Sequence, residues 1–190
     1  MRRATAALMT TLLLLLCGCA GVKPKLDEAM EFRSALLLAE TCSFTAEVTA
    51  DFGQSVEEFT LACQADDAGD LDLCVLAPES IAEISARVTQ EGGKVTYDGM
   101  QLEFGLMAND NVAPIAAPAL AFAAWRGAYI VSAGTDEDGY RVTYQKDYDN
   151  KALIVDTWYK NKVPICAEVC YNNRRILKLT ISDFILEKRK

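Results

Sequence analysis

Hydrophobic and polar positions along the chain change their period near Thr41. From Leu26 to Glu40 apolar side chains recur at helical spacing, and acidic residues lie in the first turns, where they favour the positive end of a helix dipole. From Phe44 to Asp51 apolar and polar residues alternate, which is the period of a strand with one solvent-facing side. The sequence therefore predicts an N-terminal amphipathic helix that leads into a β-strand.

Alternating segments of this kind continue to about Phe184, and turn signals separate them roughly every eight to twelve residues. Many of these signals contain Gly, as in Gly92–Gly93, Asp98–Gly99 and Asp138–Gly139. Such spacing is typical of antiparallel meanders. The predicted fold is therefore mainly β (α+β), with a single curved antiparallel sheet of about nine or ten strands that forms an unclosed half-barrel.

One apolar segment interrupts the strands between Ile115 and Arg126. It is rich in alanine, has Pro114 and Pro118 near its start and Gly127 at its end, and therefore predicts a helix. Apart from the terminal arginine it has no charge, so it lacks the polar face of a surface helix. We predict that it lies on the concave face of the half-barrel as a lid or plug.

Several apolar residues are candidates for lining a ligand cavity under this helix. They are Ile115, Leu120, Phe122 and Trp125 on the helix, with Tyr97 and Phe104 on strands. The alternative is that these side chains are simply core, because a core helix and a lid over a cavity have the same sequence signature.

The start of the chain is typical of a lipoprotein signal peptide. Two arginines precede an apolar run, and Leu16-Cys17-Gly18-Cys19 resembles a lipobox. The sequence therefore predicts a signal peptide over 1–18, an acylated Cys19 with palmitate-type chains, a tether over 19–25 and a folded domain over 26–190. An uncleaved anchor is an alternative, because 4–22 has no charge and is near the length that spans a bilayer. A plain secretory signal is another.

Composition and charge narrow the function classes. The chain has 190 residues, of which 51% are hydrophobic, and this fits one globular domain. Its net charge is −8, which becomes −10 if Arg2 and Arg3 leave with the signal, so nucleic acid is not an expected partner. Attachment to a membrane would depend on the acyl chains of Cys19. The absence of histidine excludes histidine-dependent nucleophiles and histidine-ligated metals, and no cofactor, metal or catalytic residue is predicted.

Five cysteines remain after Cys17 and Cys19 are set aside, so at least one thiol is unpaired within the chain. If Phe52–Gly53 is a two-residue hairpin turn, Cys42 lies opposite Cys63 and the two could form a disulfide. Free, buried thiols that act as small hydrophobic side chains are the alternative.

Motifs distributed along residues 26–186 resemble those of LolA-like proteins in the lipoprotein-carrier superfamily. They are Cys42-Ser43-Phe44, Asp51-Phe52-Gly53, Ala77-Pro78-Glu79-Ser80-Ile81, Val112-Ala113-Pro114, Pro164-Ile165-Cys166-Ala167-Glu168 and Ile181-Ser182-Asp183-Phe184. With the lipobox, they are similar to the LolA-like and germination-type lipoproteins of monoderm bacteria. The resemblance implies an unclosed barrel with a helical lid, without catalysis. It also implies a buried arginine that latches the lid, a role that neither Arg126 nor Arg141 matches.

The predicted function is that of an extracytoplasmic lipoprotein, anchored to the cell membrane, that binds or carries an acyl chain or another apolar lipid in the half-barrel. The alternative, which the resemblance also implies through a sporulation-associated branch, is a cell-envelope lipoprotein that docks a partner such as a cell-wall enzyme. In that case the half-barrel is filled by its own side chains, and the sheet or its edge forms the interface.

Replacement of Cys19 by serine should remove the nucleophile for acylation and leave an unprocessed precursor. Cys17→Ser is the matched control and should be processed normally. Metabolic labelling with a fatty-acid analogue measures both variants. Label retained by the Cys19→Ser protein would contradict the assignment.

Overall fold

The computed structural model describes residues 26–51, 53, 55–89, 92–105, 107–108, 111–146, 153–172 and 174–188, so Cys19, the signal peptide and the tether lie outside the described residues. The described helices are α1 (Leu26–Leu38) and α2 (Ala117–Gly127), with 3-10 turns at Glu79–Ile81 and Pro114–Ala116. The strands are β1 (Ala39–Asp51), β2 (Val56–Ala65), β3 (Leu71–Ala77), β4 (Ser85–Val88), β5 (Gly93–Tyr97), β6 (Met100–Phe104), β7 (Met107–Ala108), β8 (Asn111–Val112), β9 (Tyr129–Asp136), β10 (Gly139–Gln145), β11 (Ile154–Lys160), β12 (Val163–Tyr171) and β13 (Arg174–Lys188).

Eleven of these strands form one antiparallel sheet in the order β6-β5-β4-β3-β2-β1-β13-β12-β11-β10-β9. Strands β1 to β6 make one meander and β9 to β13 make another, and the two meet where β1 pairs with β13. The edge strands β6 and β9 do not pair with each other, so the sheet is an unclosed half-barrel. The predicted fold class is confirmed. The sheet has eleven strands, one more than the upper end of the predicted nine or ten.

The inner face of the sheet is apolar, and the helices pack against it. On β1, Phe44 and Val48 are buried, whereas the residues between the buried positions are half-buried or exposed. Helix α1 buries Phe32 and Leu36 on one side. Both helices contact the half of the sheet that contains β9 to β13. The helical and strand periods predicted from the sequence are therefore confirmed in these elements.

The first hairpin differs from the prediction in its register. Asp51 pairs with Val56, so the connection has four residues instead of two, and the Asp51 carboxylate accepts a hydrogen bond from the Gly53 amide at 2.7 Å. Gly53 has a φ of 82°, which glycine adopts without strain, and this Asx-type turn favours the longer loop. The register shifts by two residues as a result.

The predicted alignment of Cys42 with Cys63 is therefore wrong. Cys42 lies opposite Ala65, and Cys63 lies opposite Phe44, so the two cysteines are diagonal neighbours on the inner face. Both are free thiols. Burial raises the pKa of Cys42 to about 12 and raises that of Cys63 as well, so both thiols are protonated at neutral pH and act as small apolar side chains.

In the last hairpin, β12–β13, one face is buried. Glu168 lies opposite Lys178, and Leu177, Leu179 and Ile181 are buried on the inner side. The glutamate carboxylate, however, accepts its hydrogen bond from Arg175 Nη1 at 2.8 Å.

Leu179→Ala should lower the free energy of unfolding by roughly 2–5 kcal/mol, because it removes a buried side chain and leaves a cavity. Glu168→Ala is the control on the neighbouring strand and should cost at most ~1 kcal/mol, because the arginine of its ion pair is largely exposed. Urea unfolding measures both effects. Equally small losses would show that the inner face is misassigned.

Candidate ligand-binding site

Helix α2 lies on the inner face of the half-barrel and is covered on most sides. It follows the turn Pro114–Ala116, and Pro118 stands in its first turn, where a helix does not need the missing N–H. Eight of its eleven residues are buried. Ala123 and Gly127 are exposed and Arg126 is half-buried. The predicted apolar lid or plug is therefore present at the predicted place in the chain.

The Trp125 side chain fills the space between α2 and the sheet. It is fully buried, and its ring lies 5.9 to 6.3 Å from the rings of Phe32, Phe44, Phe122 and Phe184. Its indole N–H donates a hydrogen bond of 2.9 Å to the hydroxyl of Thr157, which is itself fully buried. The aromatic side of α2 is therefore packed core in this conformation.

Arg33 of α1 holds the C-terminal end of α2. Its Nε donates to the Trp125 carbonyl at 2.8 Å, and its Nη2 donates to the carbonyls of Ala128 at 2.7 Å and Ala124 at 3.3 Å. These carbonyls belong to the negative end of the helix dipole, where a cation is stabilising. The guanidinium also lies 5.6 Å from the centre of the Tyr144 ring. One side chain thus fixes α2 to α1 through three charged hydrogen bonds.

A pair of buried tyrosines lies beside this guanidinium. The hydroxyls of Tyr144 and Tyr159 are 2.6 Å apart. Burial raises the pKa of Tyr144 to about 12 and raises the pKa of Tyr159 well above its usual value. Both hydroxyls are therefore protonated at neutral pH, and the pair adds hydrogen bonding to the core without adding charge.

A second contact fixes α2 to the opposite wall of the half-barrel. Arg126 Nη2 donates to the carbonyl of Asp67, in the turn between β2 and β3, at 2.9 Å. Gly69 has a φ of 97°, which favours glycine, and a Cβ atom there would lie 2.9 Å from Arg126 Nε, so another residue would also make the guanidinium shift. The Asp66 carboxylate braces the turn by accepting from the Gly69 amide at 2.9 Å and from Arg87 at 2.8 Å. The C-terminal end of α2 is therefore attached to α1 through Arg33 and to the β2–β3 turn through Arg126.

A cavity of about 470 Å³ lies along α2 on the side away from Trp125. Ala119, Ala123 and Gly127 recur every four residues and form the side of the helix that faces it. The ends of α1, β4, β10 and β11 and the β2–β3 turn form its rim. The described lining residues are Leu37, Gly69, Val88, Thr89, Ala119, Leu120, Ala123, Ala124, Arg126, Gly127, Ala128, Lys146, Leu153 and Val155. A larger groove of about 790 Å³ crosses the meander β1 to β6, and its polar lining includes Gln64, Asp72 and Arg87.

The structure brings some of the predicted site residues together and separates others. Leu120 lines the cavity beside α2, whereas Phe122 and Trp125 lie in the aromatic core and Ile115 packs half-buried against it. Tyr97 and Phe104 lie on the hairpin β5–β6, where Tyr97 is 51% exposed and the Phe104 ring covers Gly93. These last two residues are not among the described lining residues of the cavity.

Sequence reasoning missed the residues that hold α2 and those that form the rim. Arg33 is the only basic residue of α1 and follows the buried Phe32, which is the one local sign of its role. Val88 ends β4 and Leu153 immediately precedes β11, and nothing in their sequence context indicates that both face one cavity.

No cluster of three or more His, Cys, Asp or Glu side chains in the described part of the chain is arranged to hold a metal ion. Among the same residues, no helix has both the length and the hydrophobicity to span a membrane.

No protein-family model and no curated protein matches the chain. The known proteins that are similar to it are solved structures. A putative outer membrane lipoprotein-sorting protein domain from Vibrio parahaemolyticus is 8% identical, with 85% of this chain and 91% of that chain covered and a TM-score of 0.48. A LolA superfamily protein from Nitrosomonas europaea is 10% identical, with 85% and 94% covered and a TM-score of 0.43. Lipoprotein LppX of Mycobacterium tuberculosis is 10% identical, with 84% and 93% covered and a TM-score of 0.42. The solved structures that are similar to this chain thus include a LolA superfamily protein, as expected, at low identity.

Arg33→Met should loosen α2, because it leaves three carbonyls at the helix end without their charged donor. The helix should become less stable towards local opening by roughly 1.5–3 kcal/mol, which speeds exchange of its amide hydrogens while β1 and β13 keep their rates. Arg141→Met is the matched control, because Arg141 lies on β10, is partly exposed, and contacts Asp136, Asp156 and Trp158 on the sheet. Hydrogen exchange with mass spectrometry distinguishes the variants. Unchanged exchange in residues 117–127 of Arg33→Met would show that the contact does not hold the helix.

Proposed function

We propose that this protein is an extracytoplasmic lipoprotein, anchored to the cell membrane through Cys19, that binds an acyl chain or another apolar lipid at helix α2 without chemical conversion. The observation on which the proposal depends is a helix, apolar except for Arg126 at its end, that crosses the open face of a half-barrel next to a mainly apolar cavity. The anchoring part rests on the lipobox sequence at Cys19.

The cavity supports this proposal through its size and its lining. A volume of about 470 Å³ is within the usual range for small-ligand sites. Its walls consist mainly of aliphatic side chains such as Leu37, Val88, Leu120 and Leu153, which suit a hydrocarbon chain and offer a polar ligand few partners.

The attachment of α2 also supports the proposal. The helix is held near its C-terminal end by Arg33 and Arg126, and the hydrogen bonds there join main-chain carbonyls to two arginine side chains. Such contacts break and reform more readily than a strand ladder. A longer ligand could therefore extend under the helix if Trp125 moves aside.

A second candidate is a cell-envelope interaction protein that docks a partner. Hairpin β5–β6 favours it, because Tyr97, Met100 and Leu102 share one face and are 51%, 68% and 71% exposed. Exposed apolar side chains grouped in this way are typical of interaction sites. The packed aromatic cluster around Trp125 also fits a half-barrel that is filled by its own side chains.

Native mass spectrometry and lipid extraction of the protein purified from membranes should reveal a non-covalent acyl ligand in addition to the covalent lipid on Cys19.

Amide hydrogens of residues 117–127 should exchange through an opening that costs less free energy than global unfolding, and added palmitate should slow that exchange. The fluorescence of Trp125, isolated in a Trp158→Phe background, should change with palmitate.

The opposite pattern would favour the docking protein. In that case the purified protein has no lipid besides its anchor, α2 exchanges only with global unfolding, and palmitate alters neither exchange nor fluorescence. Trp125→Ala would then cost roughly 3–5 kcal/mol of stability without any effect on lipid binding.

A further inference from the structure

The charges around the α2 cavity differ from those of the rest of the chain. The whole chain has 27 acidic and 19 basic residues. The charged side chains in the described lining of the cavity are Arg126 and Lys146, and both are cationic. An acidic protein that places cations at an otherwise apolar cavity is set to attract an anion there.

The two cations stand at different parts of the rim. Arg126 ends α2 and uses one Nη2 contact to hold the Asp67 carbonyl, and a guanidinium has five N–H donors in all. Its guanidinium also lies 5.7 Å from the centre of the Phe122 ring. Lys146 follows β10, and its backbone amide donates to the Leu153 carbonyl at 3.3 Å, which places it beside the opposite wall.

Three acidic side chains in and beside the β2–β3 turn pair with another arginine. Arg87 binds the carboxylates of Asp66, Asp70 and Asp72 at 2.8 to 3.0 Å. This contact draws three negative charges towards Arg87, while Arg126 donates to the main-chain carbonyl of Asp67.

We propose that the cavity selects an amphiphile with a single apolar chain and an anionic headgroup, with the chain along α2 and the headgroup at Arg126 and Lys146. This inference rests on the proposed function, because it names the ligand class for the same cavity. The headgroup is a carboxylate, as in a fatty acid, or a phosphate, as in a lysophospholipid, and a neutral amphiphile of equal chain length binds less well.

A competition experiment with full-length protein in a nonionic detergent tests the ligand class. The protein is mixed with equal amounts of palmitate, palmitoyl lysophosphatidylglycerol and monopalmitoylglycerol, and native mass spectrometry measures the occupancy of each. The better-bound anionic ligand should exceed the neutral one by roughly three- to tenfold, the range that one or two exposed charge contacts provide. The preference should fall as salt is added, because exposed charges are screened.

Variants connect the preference to these two residues. Arg126→Gln and Lys146→Gln should each reduce anionic occupancy, and the double variant should bind the three ligands about equally. Lys94→Gln is the control, because Lys94 is an exposed cation that pairs with Glu103 away from the α2 cavity. Thermal melting identifies any variant that is misfolded. If Arg126→Gln loosens α2 and weakens binding of the neutral ligand as well, the test rests on Lys146→Gln, which should still reduce the occupancy of the anionic ligands.

Each outcome has a distinct meaning. Preference for palmitate alone or for the lysophospholipid alone supports the proposal and identifies the headgroup as carboxylate or phosphate. Equal binding of all three ligands, unaffected by the variants, overturns the headgroup proposal and leaves the proposed function intact. No bound ligand of any kind overturns both.

Discussion

The concave face of an unclosed sheet exposes apolar side chains to water unless another element covers it. Helix α2 does so here by placing Trp125 among four phenylalanine rings, with its indole N–H bonded to Thr157. A helix buried on nearly every side has no place for a charged residue except at its end, where Arg126 lies, and its last carbonyls need donors that water would otherwise supply. The guanidinium of Arg33 provides them. The need to cover the concave face of the sheet therefore explains both the alanine-rich sequence of α2 and the arginine on α1 that binds the last carbonyls of α2.

The position of Trp125 also determines where a ligand can lie. Because the indole occupies the space under α2, the free volume in this conformation is on the outer side of the helix, between Val88 on one wall and Leu153 on the other. A molecule bound there contacts both walls and the helix at once, so it stabilises the closed arrangement. A ligand under the helix instead requires Arg33 to release its carbonyls. The structure therefore distinguishes two places for a ligand. The cavity beside α2 is already accessible, whereas the space under α2 becomes accessible only after a conformational change.

The local periodicity of apolar residues explains what could be predicted from the sequence. The spacing of apolar residues alone predicts that Phe44 and Leu179 face inward and that α2 is covered on most sides, whichever elements lie next to them. The register of Cys42 does not, because it depends on a loop whose length is fixed by a hydrogen bond to Asp51. The role of Arg33 was not predictable either, since its acceptors are more than 90 residues away. A helix that is apolar on every side up to its last turn gives no sign of which side faces free space.

The pairing of β1 with β13 has a consequence for how the protein folds. Ala50 pairs with Leu177 and Ala39 pairs with Lys188, so this seam joins opposite ends of the described chain. Each meander consists of hairpins that are local in sequence and can form quickly, whereas the seam must close a very long loop. Until it does, the two meanders have four unpaired sheet edges instead of two, and their apolar faces are open. Aggregation therefore competes with folding mainly before the seam closes, and the extent of the competition depends on chain concentration.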